Sequence, residues 1–283
     1  MFSATWDLSS IRDGGRRRAL EARLRPASRY EITSHMLRRP SSRGLRHALA
    51  AGRVVGTFVK LPGLESIEIV AAVGFDFTIV DLEHSQLSEA EALRLVRHAF
   101  ALEHPAVVRV PSCDRGAVNR LLEAGAAGIQ LSTVRSVAQV DELVAATRYA
   151  PHGERSVSLA HPVAGYGEVG LRETVAGDPP VLIGQVETPD TDDPLSKILA
   201  AGLDVAFLGV ADLEVALEFD AERLAARVAE VGEAARQAGV ALGAFAATPD
   251  AVPGDARYVA LSSDVSLLRS ALADALRRTR EAT

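Results

Sequence analysis

Short apolar runs alternate with amphipathic segments along the chain from residue 54 onwards. The apolar runs are rich in β-branched residues and are bounded by Gly, Pro and Asp, which is typical of strands buried on both faces. The intervening segments repeat apolar residues every three or four positions, which predicts helices. The predicted strands are Val54–Lys60, Asp76–Asp81, Ala106–Val110, Gly128–Ser132, Val181–Val186, Val205–Leu208, Ala241–Ala246 and Tyr258–Leu261. The predicted helices are Arg43–Ala51, Leu64–Val73, Ser88–Leu102, Arg115–Ala124, Val137–Tyr149, Leu195–Ala201, Ala221–Ala238 and Val265–Arg280.

This alternation predicts an α/β fold, a closed (β/α)8 TIM barrel spanning residues 42–283. An open doubly wound sheet is the alternative, but no Gly-rich dinucleotide fingerprint follows a strand. Residues 150–178 form a long Gly- and Pro-containing loop with one helical turn. Residues 249–256 hold two prolines and a glycine, so we expect a shortened or missing seventh helix.

Residues 1–41 are predicted to be a separate Arg-rich N-terminal extension. The first 50 residues carry eleven Arg against four acidic residues, whereas the rest of the chain is acidic. A basic arm could bind nucleic acid or an acidic membrane, but the acidic body would repel a polyanion. We therefore expect a solvated or subunit-packing extension, with no nucleic-acid and no membrane partner.

Two further features bear on the compartment of the protein. No apolar run is long enough for a membrane span, and the N-terminus lacks the apolar stretch of a secretory signal. The single cysteine, Cys113, cannot form an internal disulfide, which suits a reducing compartment. The sequence therefore predicts a cytoplasmic protein.

Acidic, imidazole and guanidinium groups lie at the ends of the predicted strands, where a parallel barrel places its active site. Glu187 ends the fifth strand and Asp212 follows the sixth. Two carboxylates from adjacent strands can hold a hard divalent ion, although single strand-end acids often cap helices instead. The turn Gly209–Asp212 precedes a helical stretch, and its backbone N–H groups could bind the carboxylate of a 2-oxo acid.

Two strings supply candidates for proton transfer and anion stabilisation. His84 lies three residues after Asp81, which could orient the ring and make it a general base; Glu83 could serve instead. Arg109, near the end of the third strand, could stabilise an enolate, or it could form a buried ion pair with a strand-end acid. Lys60 is the only lysine suitably placed for a Schiff base, so we favour a mechanism without one.

Together these strings resemble the HpcH/HpaI family of metal-dependent (class II) pyruvate aldolases, which includes 4-hydroxy-2-oxoheptanedioate aldolase and is related to the citrate lyase β subunit. The resemblance runs from about residue 42 to the C-terminus. The motifs that carry it are Gly56–Lys60, Gly74–His84, Gly125–Ile129, Arg148–Arg155, Gln185–Glu187 and Gly209–Leu213.

The resemblance implies Mg²⁺, Mn²⁺ or Co²⁺ on Glu187 and Asp212. It also implies a dimer-based homo-oligomer, commonly a hexamer, in which the eighth helix is exchanged between partners. The implied catalytic residues are His84, Asp81, Arg109 and Glu123, the last reaching a neighbouring subunit's site. The implied substrate-binding residues are Gln185, Gly209, Ala211 and Asp212.

The predicted function is aldol cleavage or addition through a pyruvate-type enolate, with a 2-oxo acid and an aldehyde or other acceptor as substrates. Oxaloacetate decarboxylation on the same site is the first alternative, and a non-catalytic binding or assembly barrel is the second. The chain departs from the family pattern at Ser156 and Ser158, where glycines are usual, and at Val210, where proline is usual. It also has Glu123 in place of the usual Asp.

Overall fold

A closed parallel barrel forms the body of the protein. The computed structural model describes residues 42–282. Within that range, eight strands pair in chain order, and β8 pairs with β1 to close the barrel. The strands are β1 (Val54–Val59), β2 (Phe77–Asp81), β3 (Ala106–Val110), β4 (Gly128–Leu131), β5 (Val181–Val186), β6 (Val205–Leu208), β7 (Ala241–Ala246) and β8 (Tyr258–Ser263). The predicted (β/α)8 architecture is confirmed.

Helices precede β1, follow β8 and lie between all consecutive strands except β7 and β8. They are α1 (Ser42–Ala51), α2 (Leu64–Val73), α3 (Glu89–Ala101), α4 (Arg115–Ala124), α5 (Val137–Thr147), α6 (Leu171–Val175), α7 (Leu195–Ala200), α8 (Val210–Ala216), α9 (Ala221–Ala238) and α10 (Asp264–Glu281). Two begin with a reciprocal capping box: Ser88 with Glu91 before α3, and Ser136 with Gln139 before α5.

Two connections differ from a regular strand–helix repeat. Residues 150–178 contain a 3₁₀ turn, Pro162–Gly167, and the short helix α6. Ser156 and Ser158 are not among the described residues with positive φ, so replacing the usual glycines there causes no left-handed strain. Between β7 and β8 the structure has only the 3₁₀ turn Pro249–Ala251, which confirms the shortened seventh helix.

The barrel interior is filled by large apolar and aromatic side chains. Phe77 stacks on Tyr258 with ring centroids 4.5 Å apart, and Phe207 meets Tyr258 edge to face. Leu45 and Leu49 of α1 belong to the same buried cluster. Because α1 seals the amino-terminal end of the barrel, the carboxyl-terminal end is the one left open for a site.

The N-terminal extension and a membrane-spanning segment are the two remaining features on which the sequence makes a prediction. The predicted extension, residues 1–41, lies outside the described residues, so the domain boundary at residue 42 stays a prediction. Within residues 42–282, no helix is both long and apolar enough to cross a membrane.

Candidate active site

Polar side chains from neighbouring strands meet at the carboxyl-terminal end of the barrel. Asp81 ends β2 and is paired in register with Arg109 of β3, which is paired in turn with Gln130 of β4. Gln185 lies in β5, and Glu187 follows that strand directly. All five residues are more than nine-tenths buried. Such a concentration of buried polar groups requires mutual hydrogen bonds.

The carboxylate of Asp81 is the centre of one network. Arg109 donates Nε to Oδ1 at 2.8 Å and Nη2 to Oδ2 at 2.6 Å. Lys60 Nζ donates to Oδ2 at 2.7 Å, and the backbone N–H groups of Glu83 and His84 donate to Oδ1 at 3.1 Å each. Burial alone would raise the pKa of Asp81, but the hydrogen bonds and charge of Arg109 and the hydrogen bond from Lys60 hold it well below its usual range. Asp81 is therefore an anion shared by two cations.

The structure corrects the predicted contact between Asp81 and the imidazole of His84. Oδ1 of Asp81 accepts from the backbone N–H of His84, whereas the imidazole Nε2 lies 3.7 Å from Oε2 of Glu83. The physical reason is the tight turn after β2, in which an Asp side chain caps the amides that follow it. Asp81 fixes the loop rather than the ring. The His84 side chain is 57% exposed, so a substrate can reach it.

Arg109 forms the buried ion pair that the sequence left open as an alternative. Besides the two bonds to Asp81, its Nη1 lies 3.2 Å from Oε2 of Glu83, which also accepts from the Ser132 hydroxyl at 2.6 Å. Its guanidinium carbon lies 4.6 Å from the ring centroid of Phe58. A guanidinium has five N–H bonds, so bonds on Nη1 and Nη2 remain for a substrate oxygen. The ion pair and an anion-stabilising role are therefore compatible.

The carboxylate of Glu187 is held at both oxygens. Thr133 donates its backbone N–H to Oε1 at 2.7 Å and its hydroxyl to the same atom at 2.5 Å. Gln185 donates its amide to Oε2, and Gln130 Nε2 orients that amide by donating to Gln185 Oε1 at 2.8 Å. A Cβ at Gly209 would lie 2.7 Å from Oε2 of Glu187. Glycine therefore keeps open the space beside this oxygen.

Asp212 lies in the first turn of α8, just after β6, and is exposed. The two carboxylates thus come from adjacent strands, as the sequence predicts. No group of three or more His, Cys, Asp or Glu side chains within residues 42–282 is arranged for a metal. Hard divalent ions such as Mg²⁺ need only one or two protein carboxylates and keep several waters. The oxygen donors of Glu187 and Asp212, with the space at Gly209, fit such an ion.

The turn after β6 is only partly available for a substrate carboxylate. The N–H of Gly209 donates to the Val186 carbonyl at 3.0 Å, which corrects its predicted role as a substrate-binding amide. The N–H groups of Val210, Ala211 and Asp212 belong to the first turn of α8, where helix geometry supplies no acceptor within the helix. Ala211 and Asp212 therefore remain the candidates for this contact.

Glu123 is not joined to these networks. It lies in the last turn of α4, where Asn119 Nδ2 donates to its Oε1 at 3.2 Å. Arg155 donates Nε to Oδ1 of the same Asn119 at 3.0 Å. Since α4 runs away from the carboxyl-terminal end of β3, Glu123 lies at the end of α4 that is remote from this chain's own site. Its role in a neighbouring subunit's site stays a prediction.

Four contributors to the site were not identified from the sequence. Gln130 orients Gln185. Ser132 binds Glu83, and Thr133 binds Glu187. Lys60 is considered in the sequence only as a Schiff-base lysine. Their position at a strand end could have identified two of them from the sequence, because Ser132 and Thr133 follow β4 just as Glu187 follows β5. Lys60 likewise follows β1 directly.

Comparisons with known proteins agree with this fold. The family described as HpcH/HpaI aldolase/citrate lyase matches residues 55–270. A hydroxypyruvate/pyruvate aldolase of Paraburkholderia phytofirmans is 32% identical over 240 residues, which are 80% of this chain and 92% of the relative. A 2-keto-3-deoxy-L-rhamnonate aldolase of Shigella dysenteriae is 29% identical over 239 residues, 80% of this chain and 89% of the relative. The crystal structure of an HpcH/HpaI aldolase from Desulfitobacterium hafniense matches with a TM-score of 0.77 and 31% identity, covering 84% of this chain and 96% of that one. The chain therefore belongs to the HpcH/HpaI aldolase/citrate lyase family and is an enzyme of the aldolase and lyase class.

Proposed function

We propose that this enzyme is a divalent-metal-dependent carbon–carbon lyase that works through a pyruvate-type enolate of a 2-oxo acid, joined to or released from an aldehyde. The observation that carries the proposal is the buried carboxylate of Glu187, with open space at Gly209 beside it, at the same strand ends as the Arg109 guanidinium. The names of the relatives, which include pyruvate aldolases, support a 2-oxo acid as the substrate class.

Glu187 and Asp212 would hold Mg²⁺, Mn²⁺ or Co²⁺ through carboxylate oxygens. When bound, such an ion supplies Lewis-acid polarisation of the substrate carbonyl and stabilises enolate charge. The N–H groups of Ala211 and Asp212 would orient the substrate carboxylate at the start of α8.

Arg109 would donate its remaining N–H bonds to the oxygen on which negative charge develops. Asp81, Glu83 and the Phe58 ring hold the guanidinium in place, so little reorganisation is needed during the reaction. In the cleavage direction, the exposed imidazole of His84 accepts the hydroxyl proton of the acceptor half. The electrons of the broken carbon–carbon bond become the enolate, which then takes up a proton at carbon.

The apolar face of α10 supports assembly into a homo-oligomer. None of its side chains is buried against residues 42–282, and Leu268, Leu272 and Leu276 are 52%, 62% and 52% exposed. These residues recur every four positions and so share one helix face. Exposed apolar stripes of this kind mark interaction surfaces. We propose that a second copy of this chain covers the α10 face.

Proton exchange at pyruvate tests the proposal. Wild-type protein with Mn²⁺ and pyruvate in D₂O should replace the methyl protons by deuterium, as measured by mass spectrometry. Glu187→Gln should slow the exchange at least about 100-fold, since the Lewis-acid contribution is several kcal/mol. Glu89→Gln on α3, which removes an exposed ion pair with Arg120 of α4, is the control and should exchange normally. Absence of exchange and of turnover in wild-type protein that binds Mn²⁺ would refute enolate chemistry.

The same reaction mixtures separate the alternatives. Addition of an aldehyde should give a new 2-oxo acid by mass spectrometry if the enzyme is an aldolase. Oxaloacetate would yield pyruvate and carbon dioxide from the same enolate without an acceptor, and comparison of the two rates identifies the preferred reaction.

A further inference from the structure

Thr133, two residues beyond β4, has an unusual backbone conformation. Its φ is +51°, in the left-handed region that disfavours side chains branched at Cβ. Of the six described non-glycine residues with positive φ, Thr133 alone is β-branched. Strained residues of this kind persist where the surrounding structure over-determines them, and they cluster at functional sites. The contacts of Thr133 should therefore explain why it keeps this left-handed conformation.

The neighbouring hydrogen bonds hold Thr133 in this conformation. Its carbonyl accepts from Gln139 Nε2 at 3.2 Å, and Gln139 is itself fixed by the capping box of α5. The next residue, Val134, donates its N–H to the Gln185 carbonyl at 2.8 Å. The end of β4 is thus tied both to α5 and to β5, the strand that carries Glu187.

The result of this conformation is a double contact with one carboxylate oxygen. The N–H and the hydroxyl of Thr133 both donate to Oε1 of Glu187, at 2.7 and 2.5 Å. Two donors on one oxygen fix the rotation of the carboxylate. The other oxygen, Oε2, is then presented towards the space that Gly209 keeps open.

We propose that Thr133 is a positioning residue that holds Glu187 ready for a divalent cation, and that its backbone strain is retained for this purpose. The inference rests on the proposed metal role of Glu187. Thr133 itself contacts neither cation nor substrate. Outer contacts of this kind typically change metal affinity 10–100-fold when they are removed.

Three substitutions at Thr133 distinguish the effect of its hydroxyl from the effect of its backbone strain. Thr133→Ala removes the hydroxyl, Thr133→Ser restores it, and Thr133→Gly removes it while relieving the left-handed strain. In titrations of metal-free protein with Mn²⁺ followed by calorimetry, the Ala and Gly variants should bind about 10–100-fold more weakly. The Ser variant should bind with nearly the wild-type Kd.

Thermal unfolding of the same metal-free proteins tests the strain. At an ordinary position Gly is less stable than Ala, but at a positive φ the order reverses. We therefore expect a higher Tm for Thr133→Gly than for Thr133→Ala, together with weak Mn²⁺ binding in both. Replacing a residue that merely supported the fold would lower Tm and leave the Kd for Mn²⁺ unchanged.

Thr147→Ala is the matched control. Among the described residues, its buried hydroxyl bonds only within α5, to the Leu143 carbonyl at 2.8 Å and more weakly to the Val144 carbonyl, so its Mn²⁺ Kd should be unchanged. If wild-type protein binds no Mn²⁺, the metal assignment fails and the positioning role falls with it. If wild-type protein binds Mn²⁺ and the Ala variant binds equally well, the positioning role alone is overturned.

Discussion

Replacing Asp81 by Asn should destabilise the barrel strongly, because it leaves two cations without their shared anion. The Asp81 side chain is 0% exposed and that of Arg109 is 7% exposed. Removing one partner of such a buried pair costs about 3–5 kcal/mol. For a domain of this size, that loss lowers Tm by roughly 6–20 °C. Asn has the same shape as Asp, so no cavity contributes to the change.

The pH dependence of this loss follows from the direction of the pKa shift. The folded-state pKa of Asp81 is lowered, mainly by Arg109 and against the effect of burial, so the stabilisation is fully present above the unfolded value of about 4. It declines as pH falls below that value towards the folded pKa. The difference between wild type and Asp81→Asn should therefore be constant from pH 7 to pH 5 and smaller at about pH 3.5.

Urea denaturation followed by circular dichroism at these three pH values measures the difference in the free energy of unfolding. Glu89→Gln is the control, because it breaks an exposed ion pair with Arg120 and should change stability little. A loss below about 1 kcal/mol at pH 7 for Asp81→Asn would refute the reasoning, given the magnitude expected for buried pairs. So would a loss that grows as the pH falls.

Three further changes probe other parts of the structure. Gly209→Ala would place a Cβ 2.5 Å from Cβ of Glu187, so it should weaken Mn²⁺ binding in calorimetric titrations; unchanged affinity would contradict the close approach. Lys60→Met removes the bonds from Nζ to Asp81 and to the His84 carbonyl, so it should lower kcat more than it changes KM, and Lys60→Arg should recover part of the loss. Leu272→Asp on the apolar face of α10 should shift the protein towards smaller species in sedimentation velocity, whereas an unchanged oligomer would exclude this face as the interface.

The sequence predicted the barrel well because its signals are local. The ends of β3, β5, β6 and β7 agree with the predicted limits, since β-branched runs bounded by turn residues define them without knowledge of the fold. Helix α8 was not assigned as a separate helix, because seven residues give too little periodicity.

The contacts within the site could not be predicted to the same degree. The strand-end position of Asp81, Arg109 and Glu187 follows from the pattern, but their partners depend on the register of neighbouring strands. The pairing of Asp81 with Arg109 and the left-handed turn at Thr133 arise only when β2, β3, β4 and β5 are side by side. The bond from Asp81 to the backbone of His84, rather than to its ring, likewise depends on how the loop turns.

The shortened connection after β7 has a consequence for local opening of the barrel. No α-helix lies between β7 and β8, and a groove of about 630 Å³, lined partly by Ala244 and Ala246, runs along the outside of β7. Ala244 and Ala246 are buried in a small cluster with Ala256 and Val259, but side chains of this size remove little apolar area from water, so β7 depends strongly on its ladders to β6 and β8. Segments with few buried contacts open first in the native state. In amide hydrogen exchange we expect β7 to lose protection before β2–β4. The part of the barrel next to Asp212 should therefore open locally at a lower free energy than the half that holds Asp81 and Arg109.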